Sequence, residues 1–406
     1  MERPLAAHEA AVQTGQVRLV LWSDLEGEPD ESAFDAALAH LVGRYPLLAG
    51  RITDHGNRQV VHVEEPPGAV ALGRGTSLDE EINAAHTWTR GPLLRATLLR
   101  EATGARLVMT LPRAFSDGMS YLALHKCFWA AYTALRTGVP ATAEPVHPVL
   151  GPSIDDRVAE LFTQGQLDDF VAERARLDAQ ESVATLPTTA AANGGPGPDA
   201  TLATVRITID PDRSRALTAL AHEESLTTND LVSGVLLTAL RRCLPQREGT
   251  VRVVCTSAVD LRRRLTPPIP DEVLQSAATT TSMRLDLHAD DTPLRTARHA
   301  REQLRAAVDN GDATKELATF AHVIDQHPPS LVITNVGAIA EPDLPDGLRV
   351  TDVRLAPLGH LPMLFVVVSR YRGRIQLTID HSRAWHTAQQ VDEFADHVTA
   401  VLAELR

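Results

Sequence analysis

The segment 107–135 leaves its chain little choice of local fold. An apolar run, Leu107-Val108-Met109-Thr110-Leu111, is followed by Pro112-Arg113-Ala114-Phe115-Ser116-Asp117-Gly118 and then by an apolar stretch with helical character from Met119 to Leu135. A strand, a short polar connection and a helix are what that pattern supports. The connection carries Arg113, Ser116 and Asp117. A guanidinium stays protonated at any working pH, so Arg113 can donate hydrogen bonds but cannot take a proton from an alcohol or amine.

Strand and helix patterns alternate along the rest of the chain. Strands are expected at 17–22, 60–63, 94–99, 106–111, 201–209, 251–259 and 278–287, with four more between 330 and 380. Helices are expected at 32–42, 118–136, 154–163, 167–181, 211–222, 228–240, 292–309, 312–324 and 387–404. Residues 184–200, rich in Ala, Thr, Gly and Pro, read as a linker between a lobe at 1–183 and a lobe at 201–406. The alternation in two similar-sized halves points to layered α/β lobes.

Composition excludes several classes of function. The 406 residues carry a formal net charge of −13, which argues against nucleic acid as a bulk partner. All of the 39 basic residues except Lys126 and Lys315 are arginine, a bias of coding rather than of chemistry. The three cysteines, Cys127, Cys243 and Cys255, are odd in number and far apart, so a disulfide framework is not expected and a reduced, cytoplasmic protein is. Nothing in the spacing suggests a metal site. No secretion signal is apparent at Met1-Glu2-Arg3-Pro4, and no apolar stretch reaches the roughly 18 residues of a membrane span.

Five landmarks, in order across nearly the whole chain, resemble the condensation-domain and polyketide-associated acyltransferase superfamily, of the phthiocerol dimycocerosyl transferase type. Leu41-Val42-Gly43-Arg44-Tyr45-Pro46-Leu47-Leu48 resembles an early R-x-P-x-L segment. Pro112 to Gly118 resembles the His-His-x-x-x-Asp-Gly motif in degenerate form. Thr228-Asn229-Asp230-Leu231-Val232-Ser233 resembles the start of a second-lobe helix. Val259-Asp260-Leu261-Arg262 resembles a V-D-L-R strand end, and Thr334-Asn335-Val336-Gly337 an S-N-L-G turn. The resemblance implies an α/β fold of two chloramphenicol-acetyltransferase-like lobes with a central tunnel. It implies structural roles for Asp117, Gly118, Arg262, Asn335 and Gly337, with Asp117 and Arg262 as a pair.

The departure from the motif matters as much as the match. The family's second histidine, its general base, falls on Arg113, and the first falls on Pro112. Condensation-like domains that recruit oxygenases in glycopeptide assembly lines also carry arginine there and do not condense. Arg113 either holds a carboxylate, phosphate or thioester oxygen, or plugs the tunnel by pairing with a carboxylate such as Asp117. Ser116 lacks an adjacent base and a nucleophile elbow, so a turn-closing hydroxyl is the simpler reading. His125 lies too far along the helix to replace the base. His360 and His381 are candidates for a relocated base, against the competing reading of surface or core histidines, and Asp380 and Asp117 are candidates for a carboxylate base if buried.

Arg295, Arg298, Arg301 and Arg305 share one helix face and suit the docking of an acidic acyl carrier protein, or else form a solvated face with intrahelical pairs. The resulting expectation is an acyltransferase homologue of polyketide or peptide natural-product biosynthesis. It would have no bound cofactor or metal, an acyl-CoA or phosphopantetheinyl carrier substrate, and a small-molecule acceptor. Two alternatives stay open: an enzyme repurposed for cyclisation, rearrangement or dehydration, and a non-catalytic carrier-binding or recruitment protein.

Overall fold

The computed structural model describes residues 1–56, 58–101, 104–139, 147–189, 200–323, 326–345 and 347–405. Strands and helices are both abundant, as an α/β chain requires. They form two compact units. The first comprises Met1–Asp156, Arg262–Ala277 and Ile339–Leu358, and the second Arg157–Leu261, Ala278–Ala338 and Gly359–Arg406.

The first unit is built on a five-stranded sheet. Its order is Leu348–Leu358, Arg18–Gly27, Gly104–Pro112, Arg95–Glu101 and Leu72–Gly75. The first three pairings are antiparallel and the last is parallel. Strand Gly104–Pro112 is buried along nearly its whole length, which explains its continuous apolar run rather than an alternating one. Two helices, Glu31–Arg44 and Gly118–Thr137, pack together through Phe34, Phe128, Trp129 and Tyr132. These rings meet edge to face at centroid distances of 5.0 to 5.7 Å, the arrangement that aromatic quadrupoles favour. A small antiparallel sheet, Glu2–Pro4 with Arg58–His62 and Arg51–His55, completes the unit.

The second unit is built on a six-stranded mixed sheet. Its order is Ala278–His288, Thr250–Asp260, Leu331–Ala338, Phe365–Tyr371, Arg374–Ser382 and Leu202–Ile209. Helix Thr228–Cys243 sends Leu231, Val235, Leu236 and Leu240 into its core, beside Val391, Phe394 and Val398 of helix Ala388–Glu404. Gly234 permits a close helix contact: a Cβ there would stand 2.2 Å from the Pro293 carbonyl oxygen. Thr227 caps the helix by accepting from Asp230 N.

The compact units differ from the linear lobes 1–183 and 201–406. Strand Leu348–Leu358 lies along Arg18–Gly27 from Leu348↔Gly27 to Leu358↔Arg18, so late sequence completes the early sheet. Conversely, helix Gln164–Gln180 goes with the second unit, where Arg174 pairs with Glu316 at 2.6 Å. Of the expected linker 184–200, residues 190–199 lie outside the described ones, while Leu186 is packed in the second unit's core. The expected helix 312–324 is broken at Thr319 into Asp312–Ala318 and Phe320–Val323. No helix among the described residues is long and apolar enough to cross a membrane.

Candidate functional site

Pro112 ends its strand with extended backbone, and Arg113–Phe115 make a single 3-10 turn before the motif helix. Asp117 is the N-cap of that helix. Its Oδ1 accepts from Ser120 N at 2.9 Å, and the Ser120 hydroxyl lies 3.1 Å from Asp117 N, closing a capping box. Gly118 occupies the first helical position.

The remaining lone pairs of Asp117 face loop Arg262–Ala277. Oδ2 accepts from Arg262 Nε at 3.0 Å and from Ala277 N at 2.9 Å. Arg262 also donates through Nη1 to Pro270 O at 2.7 Å, and through Nη2 to Val273 O at 3.0 Å and Gln275 O at 2.8 Å. Asp117 is 1% exposed and Arg262 0% exposed, so both charges have left water and each is met by several partners. That arrangement lets a buried pair hold a loop in one shape.

Arg113 extends beside this pair. Its Nη1 donates to Ser116 O at 2.9 Å and to the Ser276 hydroxyl, two neutral acceptors. Desolvation lowers its pKa from the ordinary arginine value. The charge of Asp117 opposes that shift and the charge of Arg262 adds to it. The Asp117 carboxylate is directed at Arg262, Ser120 and Ala277. Ser116 is buried, and its hydroxyl donates to Pro112 O at 3.3 Å, a turn-closing role. Ser276 has no signature in the sequence, because the loop held by Arg262 is what delivers it.

Other expected site residues fall in the second unit. Asn335 Nδ2 donates to Asn229 Oδ1 at 2.9 Å, and its Oδ1 accepts from Gly337 N at 2.7 Å. The strand register shifts between Asn335 and Gly337, and Gly337 has φ of 74°, a left-handed bulge that glycine adopts without strain. His360 is exposed, with Nδ1 3.0 Å from the Ser382 hydroxyl. His381 is buried, and neither ring nitrogen has a hydrogen-bond partner among the described residues. Burial, helped by His386 and Arg383, pushes its pKa down to about 4. Next to it, Asp380 is 2% exposed, and neither carboxylate oxygen has a partner among the described residues. Burial raises its pKa well above the usual carboxylate range, so it is held as a neutral acid. Arg113 belongs to the first unit, and His360, Asp380 and His381 to the second.

The arginine face 295–305 is largely neutralised within the chain. Arg295 pairs with Asp291 at 3.2 Å, Arg298 with Glu224, and Arg301 with Asp230 at 3.7 Å and with the Ser225 carbonyl. Arg305 is exposed, with no carboxylate at ion-pair distance among the described residues.

The fold is that of condensation-domain and chloramphenicol-acetyltransferase-like proteins. Residues 198–380 match the family described as Phthiocerol/phthiodiolone dimycocerosyl transferase C-terminus. Polyketide synthase associated protein 5 from Mycobacterium tuberculosis is 18% identical, with 100% of this chain and 98% of that chain covered and a TM-score of 0.74. TRI3 trichothecene 15-O-acetyltransferase from Fusarium sporotrichioides is 15% identical, with 100% and 96% covered and a TM-score of 0.78. The X-domain in the complex of the X-domain and OxyB from teicoplanin biosynthesis is 17% identical, with 99% and 92% covered and a TM-score of 0.66. No curated protein sequence matches. The chain therefore resembles this superfamily in fold over its whole length and in sequence over its second half.

Proposed function

We propose that the chain is a condensation-domain-like acyltransferase homologue of polyketide or nonribosomal-peptide biosynthesis. Its substrate would be an acyl thioester on CoA or on a carrier's phosphopantetheine arm. Arg113 would be the group that meets the thioester oxygen. The observation carrying this reading is the fixed cation of Arg113, held by Ser116 O and Ser276, and the motif resemblance sets it where the family carries its base. Such a cation stabilises charge developing on a carbonyl oxygen but accepts no proton. The reaction that suits it has a neutral amine as acceptor. The amine nitrogen attacks the thioester carbon, the carbon–sulfur bond breaks, and the ammonium proton leaves with the thiolate or to water. Binding two partners in line can itself supply roughly 7–11 kcal/mol of barrier reduction.

The test is transfer from acyl-CoA or acyl-pantetheine to a panel of amines and alcohols. Arg113→Met is expected to lower kcat by about 10²-fold, the order lost when an oxyanion donor is removed, with the acceptor's KM unchanged. Arg113→Lys should retain part of the activity. Arg113→His should not yield robust transfer to alcohols, because Pro112 and Ser276 surround a guanidinium rather than an imidazole. Full activity in Arg113→Met would remove Arg113 from the chemistry. Carrier binding without transfer by any form would favour the recruitment reading, which the likeness to the X-domain also supports. Carrier docking on the 295–305 face would then rest on Arg305, its residue without an internal carboxylate partner among the described residues.

A further inference from the structure

The motif helix carries a second feature, well past its N-terminal end. A cavity of about 420 Å³ lies in the first unit, lined by the later turns of that helix and by residues 340–343. It is separate from the motif: His125, at its inner wall, is eight residues beyond Asp117, about 12 Å along the axis at 1.5 Å per residue. Most of the lining helix residues are apolar, among them Trp129, Ala130 and Ala134. Thr133 joins the two walls by donating to Asp343 O at 2.6 Å.

The polar group at the base of the cavity has one defined protonation state. His125 is 3% exposed. Its Nε2 accepts from Trp129 Nε1 at 2.8 Å and lies 2.8 Å from the Ser23 hydroxyl. An indole N–H can only donate, so Nε2 must carry the lone pair and the ring proton must sit on Nδ1. Desolvation lowers the His125 pKa to about 3, which leaves the ring neutral at ordinary pH. No residue among the described ones bonds to Nδ1. His125 lines the cavity, and with its Nε2 edge turned to Ser23 and Trp129, the Nδ1–H edge is the one left to face it. An N–H on a cavity wall with no protein acceptor can donate to an oxygen that enters the cavity.

The chemistry of the ligand follows from the walls. A neutral imidazole offers a hydrogen bond and no charge. Two carboxylates, Glu341 and Asp343, are exposed on the lining against one ammonium, Lys126, so the formal charge around the cavity does not favour an anion. Apolar walls favour an aliphatic body. We propose that this cavity binds a neutral, largely aliphatic small molecule whose single carbonyl oxygen accepts the His125 Nδ1–H.

The experiment uses the full chain labelled with ¹⁵N-histidine, with the His125 signals assigned by their loss in His125→Gln. Long-range proton–nitrogen spectra should show His125 as the Nδ1–H tautomer. Titration with 2-nonanone should shift its Nδ1 resonance saturably, and nonanoate at pH 7 should bind at least tenfold more weakly. Ala134→Phe should abolish the shift by filling the cavity. Val139→Trp, at an exposed position, does the same should Ala134→Phe fail to fold. An Nε2–H tautomer, no saturable shift up to the solubility limit, equal binding of nonanoate, or a shift surviving both filling variants would each overturn the assignment.

Discussion

Two buried acids, one in each unit, have opposite surroundings. Asp117, at 1% exposure, accepts from Ser120 N, Ala277 N and Arg262. Asp380, at 2% exposure, accepts from nothing among the described residues, and burial holds it neutral. Equal burial therefore says little about role. A fully partnered charge fixes the shape of a loop. An unpartnered acid costs stability where it stands, and natural proteins tolerate that cost most often at sites of function. The contrast separates the surviving motif aspartate, a structural group, from Asp380, a proton-bearing group without a structural task among its neighbours.

The largest expected effect breaks the paired side. Arg262→Met strands the Asp117 carboxylate and frees loop 262–277, so unfolding in urea should show a loss of about 3–5 kcal/mol. A change below about 1 kcal/mol would mean the pair is not what holds the loop. Next comes the unpaired side, with the opposite sign. Asp380→Val places a β-branched apolar residue in a buried strand position and should stabilise the chain by roughly 1–3 kcal/mol, the cost of an unsatisfied buried polar group.

The gain from Asp380→Val should also depend on pH. A carboxyl whose folded pKa is raised contributes stability below its unfolded value, about 3.9, and loses it as pH rises toward the folded value. The stability difference between the Asp380→Val variant and the parent should therefore be smaller at pH 4 than at pH 8. A pH-independent difference would show that Asp380 has found a partner in solution. His381 has the reverse slope. Its folded pKa is lowered to about 4, so its contribution is complete above its ordinary value near 6.5 and disappears as pH falls through about 4. His381→Gln should flatten the acid limb of the melting temperature against pH, and an unchanged limb would place the ring in water.

The smallest effect belongs to exposed pairs. Arg298→Ala, which breaks its contact with Glu224, should cost under about 1 kcal/mol, and less at high salt. A loss comparable to that of Arg262→Met would erase the distinction between buried and exposed pairing.

Much of the fold was legible in the sequence because it is local. The strand before Pro112, the helix from Gly118 and the four strands between 331 and 382 follow from apolar spacing within each segment. The short strands Arg51–His55 and Leu72–Gly75 and the helix Ala7–Thr14 were not legible, since each has too few residues to show a period. At the site, the Asp117 and Arg262 landmarks could be read from motif resemblance, and the structure brings them together at 3.0 Å. Ser276 could not be read, because nothing near it in sequence signals a contact with Arg113. The arginine face 295–305 was legible as a stripe. Its neutralisation was not, because Glu224 and Asp230 come from elsewhere in the chain.

By itself the sequence determined the chemistry available: a permanent cation where the resembling family carries a base, and a helix that opens at Gly118. Tertiary structure alone decided how that chemistry is arranged. Strand Leu348–Leu358 closes the early sheet, Arg113 meets Ser276, and Asp380 has no partner among the described residues. Caps and periods are set by neighbours a few residues apart. Partners and desolvation are set by groups that only the folded chain brings together, and those contacts leave no local trace in the order of residues.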